Sequence, residues 1–330
     1  MRVLVTGGSE LVGSNVLAAA RQQSWQALAW QGELADRRAC VELAGRWEPD
    51  VIVHAAGEGS LSRFERDPFV GQREFVAAEH TLAAARHVRA RYVLISSDQV
   101  YRGALPAGWC AHEGDLPDPV NAHGRSKLAG EEATMRSNVS WLIVRPGEVY
   151  GVNASICARG GAEGGAEAPS ARVEDDDPPS YAAEAWWRSG TALRLVARLR
   201  RRAMLPAPAQ GLRSPTYAWD FAERLCELIA QGCEGVYNLA GPAALDRLSW
   251  ARLLAREFEC RSELVCEGTP EAYLRACGER EAVRLPGNVA LSDEKSRAAI
   301  GTAAVTPERG LALTRAALGE TRLPAVCDAR

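Results

Sequence analysis

The stretch Thr6-Gly7-Gly8-Ser9-Glu10-Leu11-Val12-Gly13 lies between a short apolar run and a helical pattern. That is where a phosphate-binding turn sits in a strand–helix unit. Such a turn needs a sharp bend, close approach of bare backbone to a diphosphate, and a helix N-terminus aimed at negative charge. Gly7, Gly8 and Gly13 suit the bend and the helix–strand packing. Glu10 stands where backbone should meet phosphate, and it brings a carboxylate. Two like charges about 4 Å apart at an effective dielectric near 20 repel by about 4 kcal/mol. As an upper figure, that is about a thousandfold in affinity. The side chain has two escapes: it can swing into water, or cap the helix amides with its own charge.

The elements that must carry this turn alternate. RVLVT (2–6), QALAW (26–30), DVIVHAA (50–56), RYVLISS (91–97) and WLIVRP (141–146) read as strands. Helical patterns lie at 14–23, 37–47, 69–88 and 126–136. This alternation predicts an α/β fold, a Rossmann-type doubly wound parallel sheet. Residues 1–150 read as the NAD(P)-binding domain, with a helix and strand in 214–241 returning to it. Residues 151–213 and 242–330 read as a smaller substrate-binding part, with helices near 186–203, 248–258, 270–279 and 306–318. Segment 154–181, rich in Gly, Ala, Pro and acid, reads as a mobile loop, its EDDDPP run (174–179) included.

Composition sets bounds. The chain has 330 residues, 25% of them charged, and a net charge of −3, which gives no general reason to expect nucleic acid or an anionic membrane as partner. No apolar run approaches the length of a membrane span. The opening residues enter a strand at once, which predicts no signal peptide and a cytoplasmic location. The nine cysteines lack C-x-x-C spacing and read as free thiols, with no metal site. The basic run RLVARLRRR (194–202) spreads over several helix faces and reads as solvated, and Trp186-Trp187 as packed on the sheet.

Eight segments in order carry a family resemblance: TGGSELVG (6–13), HAAG (54–57), ISSDQVYRG (95–103), PVNAHGRSKLAGEE (119–132), RPGEVYG (145–151), SPTYAWDFA (214–222), GVYNLAG (235–241) and RLPGNVALSDEKSRAAIG (284–301). The sequence resembles the extended short-chain dehydrogenase/reductases, most closely the dTDP-4-dehydrorhamnose reductase group. The resemblance implies NADP or NAD on the sheet and reduction of a nucleotide-linked keto sugar held by the smaller part. Carried over, the catalytic residues are Ser97, His123 and Lys127, with His123 where the family has tyrosine. The cofactor contacts are Gly7, Gly8, Glu10, Leu11, Val12, Gly13, Ala55, Ala56 and Lys127. An Asn that the family places on the long helix falls at Phe75 in this register. One or two arginines of 194–202 would lie near the substrate diphosphate.

His123 changes the chemistry. Imidazole is shorter than phenol and needs a water to reach the same oxygen. Lys127, one helical turn away, disfavours imidazolium and pushes His123 toward its neutral form. Neutral imidazole is a poor acid but serves as a base or hydrogen-bond donor. Ser97 also reads as a turn-capping serine, and His54 as a structural histidine. Three functions stay open: a reductase with an altered acid, a non-catalytic regulatory or ligand-binding subunit, and a redox-free enzyme using His123 as base. The partners expected are a nucleotide sugar or other small molecule, and a second copy of the chain or a regulatory partner protein.

Overall fold

The computed structural model describes residues 1–106, 108–155 and 190–319. Most of the loop expected at 154–181, and Trp186-Trp187, lie outside them. The strands are β1 (Arg2–Val5), β2 (Gln26–Ala29), β3 (Val51–His54), β4 (Arg91–Ile95), β5 (Trp141–Arg145), β6 (Val149–Tyr150), β7 (Leu205–Ala207), β8 (Thr216–Tyr217), β9 (Gly235–Asn238) and β10 (Val265–Glu267). The helices are α1 (Leu11–Gln22), α2 (Arg37–Trp47), α3 (Leu61–Arg66), α4 (Phe69–Val88), α5 (Ala122–Met135) and α6 (Thr191–Arg200). They continue with α7 (Ala218–Ala230), α8 (Arg247–Glu257), α9 (Pro270–Ala276), α10 (Glu294–Ile300) and α11 (Pro307–Ala317).

A six-stranded sheet runs in the order β2-β1-β3-β4-β5-β9, every pair parallel. The middle positions of its central strands are apolar because both faces are covered, and successive side chains point to opposite faces. Val3, Val5, Val51, Val53, Val93, Ile95, Leu142 and Val144 meet α1 and α7 in one core. Leu4, Ile52, Tyr92, Leu94 and Ile143 meet α2 and α4 in another. This is a Rossmann-like, doubly wound sheet. The late strand β9 does return to it, with Leu142 opposite Gly235 and Arg145 opposite Asn238. Strand β1 is followed outward by β2, and the chain then crosses back to β3 on the other side. The crevice at the carboxyl ends of β1 and β3 is therefore the switch point where such sheets take ligands.

A further apolar core gathers Leu193, Leu195 and Leu199 of α6, Leu205 of β7, Trp250 and Leu254 of α8, and Tyr273 of α9. Two helices start earlier than the sequence pattern suggests. Helix α1 begins at Leu11, directly after Glu10, instead of at 14. Helix α5 begins at Ala122 instead of 126, because Asn121 caps it: Gly124 N–H donates to Asn121 Oδ1 at 2.8 Å. That extension puts His123 and Lys127 one turn apart on one helix face. A Cβ at Gly124 would lie 2.1 Å from the Gln99 carbonyl oxygen, so the start of α5 can rest against the turn after β4.

Candidate functional site

The glycine turn is built as a bend. Gly7 has φ +64°, and a Cβ there would meet Ala56 Cα at 2.8 Å. A Cβ at Gly13 would lie 2.2 Å from the Gly7 carbonyl oxygen, so only glycine lets α1 start against the turn. Thr6 Oγ1 accepts the backbone N–H groups of both Ala55 and Ala56 at 3.0 Å, tying the end of β3 to the same turn. A cleft of about 800 Å³ opens above it. Of the residues expected to hold cofactor, Glu10, Leu11, Val12, Ala55 and Lys127 line this cleft. Gly7, Gly8, Gly13 and Ala56 do not; they form the bend and packing beneath it.

Glu10 is the N-cap residue of α1, with φ −93° and ψ 167°, yet its side chain makes no capping bond. Of the two escapes open to Glu10, capping is not the one taken: its side chain makes no bond to the α1 amides, and the carboxylate accepts the Gly57 backbone N–H instead. The side chain keeps water-accessible surface, but in a concave site it loses much of the bulk water that stabilises charge. Crowding by protein raises its pKa to about 7; Lys127 opposes the rise, and the carboxylates of Glu74 and Glu58 add to it.

Lys127 Nζ lies 3.7 Å from Glu74 Oε2, both side chains largely buried. Glu74 also accepts the Glu58 backbone N–H. Thus the α4 residue facing Lys127 is Glu74, one position before the Phe75 of the sequence register. One residue is about 100° of helix rotation, and Phe75 lines a separate groove with Leu82 and Ala133.

Ser97 and His123 line the cleft with Lys127. Ser97 also caps the turn after β4, accepting Gln99 N–H at 3.2 Å and donating to Asp98 Oδ1 at 3.1 Å. The His123 ring stands edge-on to Phe64 of α3, centroids 5.1 Å apart. Its Nδ1 is buried without a partner, which leaves Nε2 as the nitrogen able to meet a ligand. Burial, then Lys127 and Arg213, lower its pKa to about 3. His54 serves structure, its Nδ1 at 3.2 Å from the hydroxyls of both Thr6 and Thr81.

The far half of the cleft is basic in a way the sequence reading largely missed. Arg194, Arg213 and Arg247 all line it. Arg213 pairs with buried Asp98 at 2.6 Å. Arg247 is 5% exposed and has a Gly211 carbonyl contact at 3.4 Å and the face of Tyr273 at 5.7 Å. Burial, then neighbouring Arg213, lower its pKa. Of the run 194–202, Arg194 reaches the cleft, while Arg198 donates to the Met204 carbonyl.

Residues 1–174 match the family described as the RmlD substrate binding domain. The chain belongs to that family. Among relatives of this RmlD-family chain, methionine adenosyltransferase 2 subunit beta of Rattus norvegicus is 33% identical over 161 residues, 46% of this chain and 47% of that one. The chain thus spans about half the length of the first curated relatives it matches. The spore coat polysaccharide biosynthesis protein SpsK of Bacillus subtilis is 28% identical over 82% of this chain and 84% of its own. The crystal structure of dTDP-4-dehydrorhamnose reductase from Bacillus anthracis, in complex with NADP, superposes with a TM-score of 0.74 at 18% identity, covering 95% of this chain and 98% of that one. UDP-glucose 4-epimerase of Thermus thermophilus, complexed with NAD, gives 0.73 at 19%, covering 97% and 99%. These structural likenesses show the shared fold. No helix among the described residues is long and apolar enough to cross a membrane.

Proposed function

We propose that this chain binds a nicotinamide dinucleotide at the carboxyl ends of β1 and β3 and a nucleotide-linked sugar in the arginine-lined half, as a keto-sugar reductase of reduced power. The observation that carries the reading is one continuous cleft joining an uncapped α1 terminus and Lys127 to Arg194, Arg213 and Arg247. The α1 amides suit a diphosphate, and the arginines a second one. Glu10 fits such a ligand when protonated, which a pKa of about 7 permits near neutrality. Beyond β2, Asp36 caps α2 by accepting Arg38 N–H and Ala39 N–H.

When bound, a nicotinamide supplies hydride. Ser97 Oγ and His123 Nε2 face the cleft as the groups able to orient a carbonyl oxygen. His123 holds no acidic proton at neutral pH, since its pKa is about 3, so the product oxygen takes its proton from water. That low value also makes His123 a weak base, which counts against redox-free base chemistry. The same neutrality, with Lys127 paired to Glu74, favours a second reading: ligand binding without turnover, as in a regulatory subunit. The relatives named methionine adenosyltransferase 2 subunit beta support this reading, since their name makes them a subunit of a larger enzyme.

Thermal-shift titrations with NADPH and NADH test the binding half. Ligand at about a hundred times its dissociation constant stabilises by about 2.7 kcal/mol, and no shift at millimolar cofactor refutes the proposal. Oxidation of NADPH with a dTDP-linked 4-keto sugar separates the two readings: turnover supports the reductase, and binding without turnover the subunit.

A further inference from the structure

Helix α3 takes its N-terminal cap from the other side of the cleft. Ser60 is its N-cap residue, but the Ser60 hydroxyl makes no cap bond; it donates to Glu279 Oε2 at 2.8 Å. Glu279 accepts the helix amides as well: Ser62 N–H at 2.8 Å on Oε2 and Leu61 N–H at 3.3 Å on Oε1. The carboxylate is 7% exposed and comes from the segment following α9. Gly278, with φ +87°, turns the chain between α9 and Glu279, a conformation that disfavours any residue with a Cβ.

Both partners of this contact line the cleft. The β3–α3 loop contributes Gly57, Glu58, Ser60 and Leu61, and the α9 segment contributes Tyr273 and Leu274 beside Arg247. The loop is in turn fastened to the lysine side: Ser60 N–H and the Arg63 guanidinium bind the Glu58 carboxylate, Glu58 N–H binds Glu74, and Glu74 pairs with Lys127. A continuous set of contacts therefore runs from Glu279, on the segment following α9, through Ser60, Glu58 and Glu74 to Lys127.

We propose that Glu279 is a positioning residue: it latches the α9 wall to the β3–α3 loop, so that a nucleoside diphosphate seated against the arginines orders the Lys127 side of the cleft. The inference rests on the reading above that the arginine half holds a nucleotide-linked sugar. Because Leu61 and Ser62 use different carboxylate oxygens, a side chain of the same shape with one acceptor oxygen cannot serve both amides.

Amide hydrogen exchange on the full chain tests it, in wild type, Glu279→Gln and Ser60→Ala. Without ligand, exchange at Leu61 and Ser62 should quicken by about tenfold or more in Glu279→Gln and by less in Ser60→Ala, which keeps both amide bonds. With saturating thymidine diphosphate, and uridine diphosphate in a parallel arm, residues 58–62 should slow in wild type and stay unchanged in Glu279→Gln. Likewise thymidine diphosphate should tighten NADH binding by about fivefold or more in wild type and not in the variant. Unchanged ligand-free exchange at Leu61 and Ser62 in Glu279→Gln overturns the latch, whether or not a nucleotide binds. Wild type that binds the diphosphate without slowing residues 58–62 overturns it too. Failure of both diphosphates to bind instead defeats the functional reading, and the ligand-free exchange then decides the latch alone.

Discussion

Replacing Glu10 with Gln should remove a pH dependence from dinucleotide binding. A carboxylate beside the α1 terminus opposes a diphosphate, and a carboxylic acid does not, so the protonated fraction sets the population able to bind. With a pKa of about 7, that fraction falls from about nine-tenths at about pH 6 to about a tenth at about pH 8. Apparent affinity scales with the competent fraction, so the NADH dissociation constant should rise about tenfold across this interval. Water access to the side chain reduces the effect toward threefold. NADH is the right probe because it lacks the titrating 2′-phosphate of NADPH. His54 and His123, both held near a pKa of 3, do not change charge in the window. Fluorescence titration of NADH at several pH values should therefore give a rising curve for wild type and a flat one for Glu10→Gln, the two converging at the acid end. Parallel curves would refute the placement of Glu10 against the diphosphate. A wild-type affinity unaffected by pH would show the carboxylate turned away.

Four further outcomes follow from the same geometry. His123→Tyr restores a hydroxyl acid and should raise NADPH oxidation with a 4-keto sugar nucleotide by about a hundredfold or more; an unchanged rate would mean that proton donation is not limiting. Arg247→Met should weaken thymidine diphosphate binding by about tenfold or more in calorimetry. Arg213→Met should lower the melting temperature sharply, since stranding buried Asp98 costs about 3 to 5 kcal/mol. Acid should destabilise the ligand-free protein through its two buried histidines. Their folded pKa values, about 3, lie below the ordinary 6.5, so their contribution is full above about 6.5 and is lost as pH falls toward 3. Each should lose about 2 kcal/mol between about pH 6.5 and 5, read as a falling denaturant midpoint.

The sheet was legible because its signal is local. Val3 to Val5 and Ile52 to Val53 are apolar at every position, which in short runs between helical patterns means a strand covered on both faces. The starts of α1 and α5 were less legible, since at Gly13 and Gly124 each helix presses on neighbouring backbone, a contact that leaves no apolar periodicity. Ser97, His123 and Lys127 could be named from linear motifs. Arg213, Arg247 and Glu279 could not, because their significance lies in contacts with Asp98, with the Tyr273 face and with the α3 amides, none of which leaves a spacing in the chain. Glu74 escaped by a single position, and one position on a helix decides which face a residue serves.

Glu10 and His123, far apart in sequence, both answer to the ammonium of Lys127. It holds Glu10 below the pKa that the surrounding protein alone would impose, and it adds to the burial that keeps His123 neutral. Glu74 pairs with that ammonium from α4, where the resemblance expects an uncharged amide. The two departures from the family pattern are thus electrostatically joined: a lysine that would steady an ionising phenol instead stands between carboxylates. Tyrosine at 123 would regain the acid while Glu74 still drew on the lysine, and glycine at 10 would free the phosphate turn while leaving no strong acid beside the sugar. Cofactor affinity and proton donation are consequently separable properties of this cleft, governed by different residues around one shared charge.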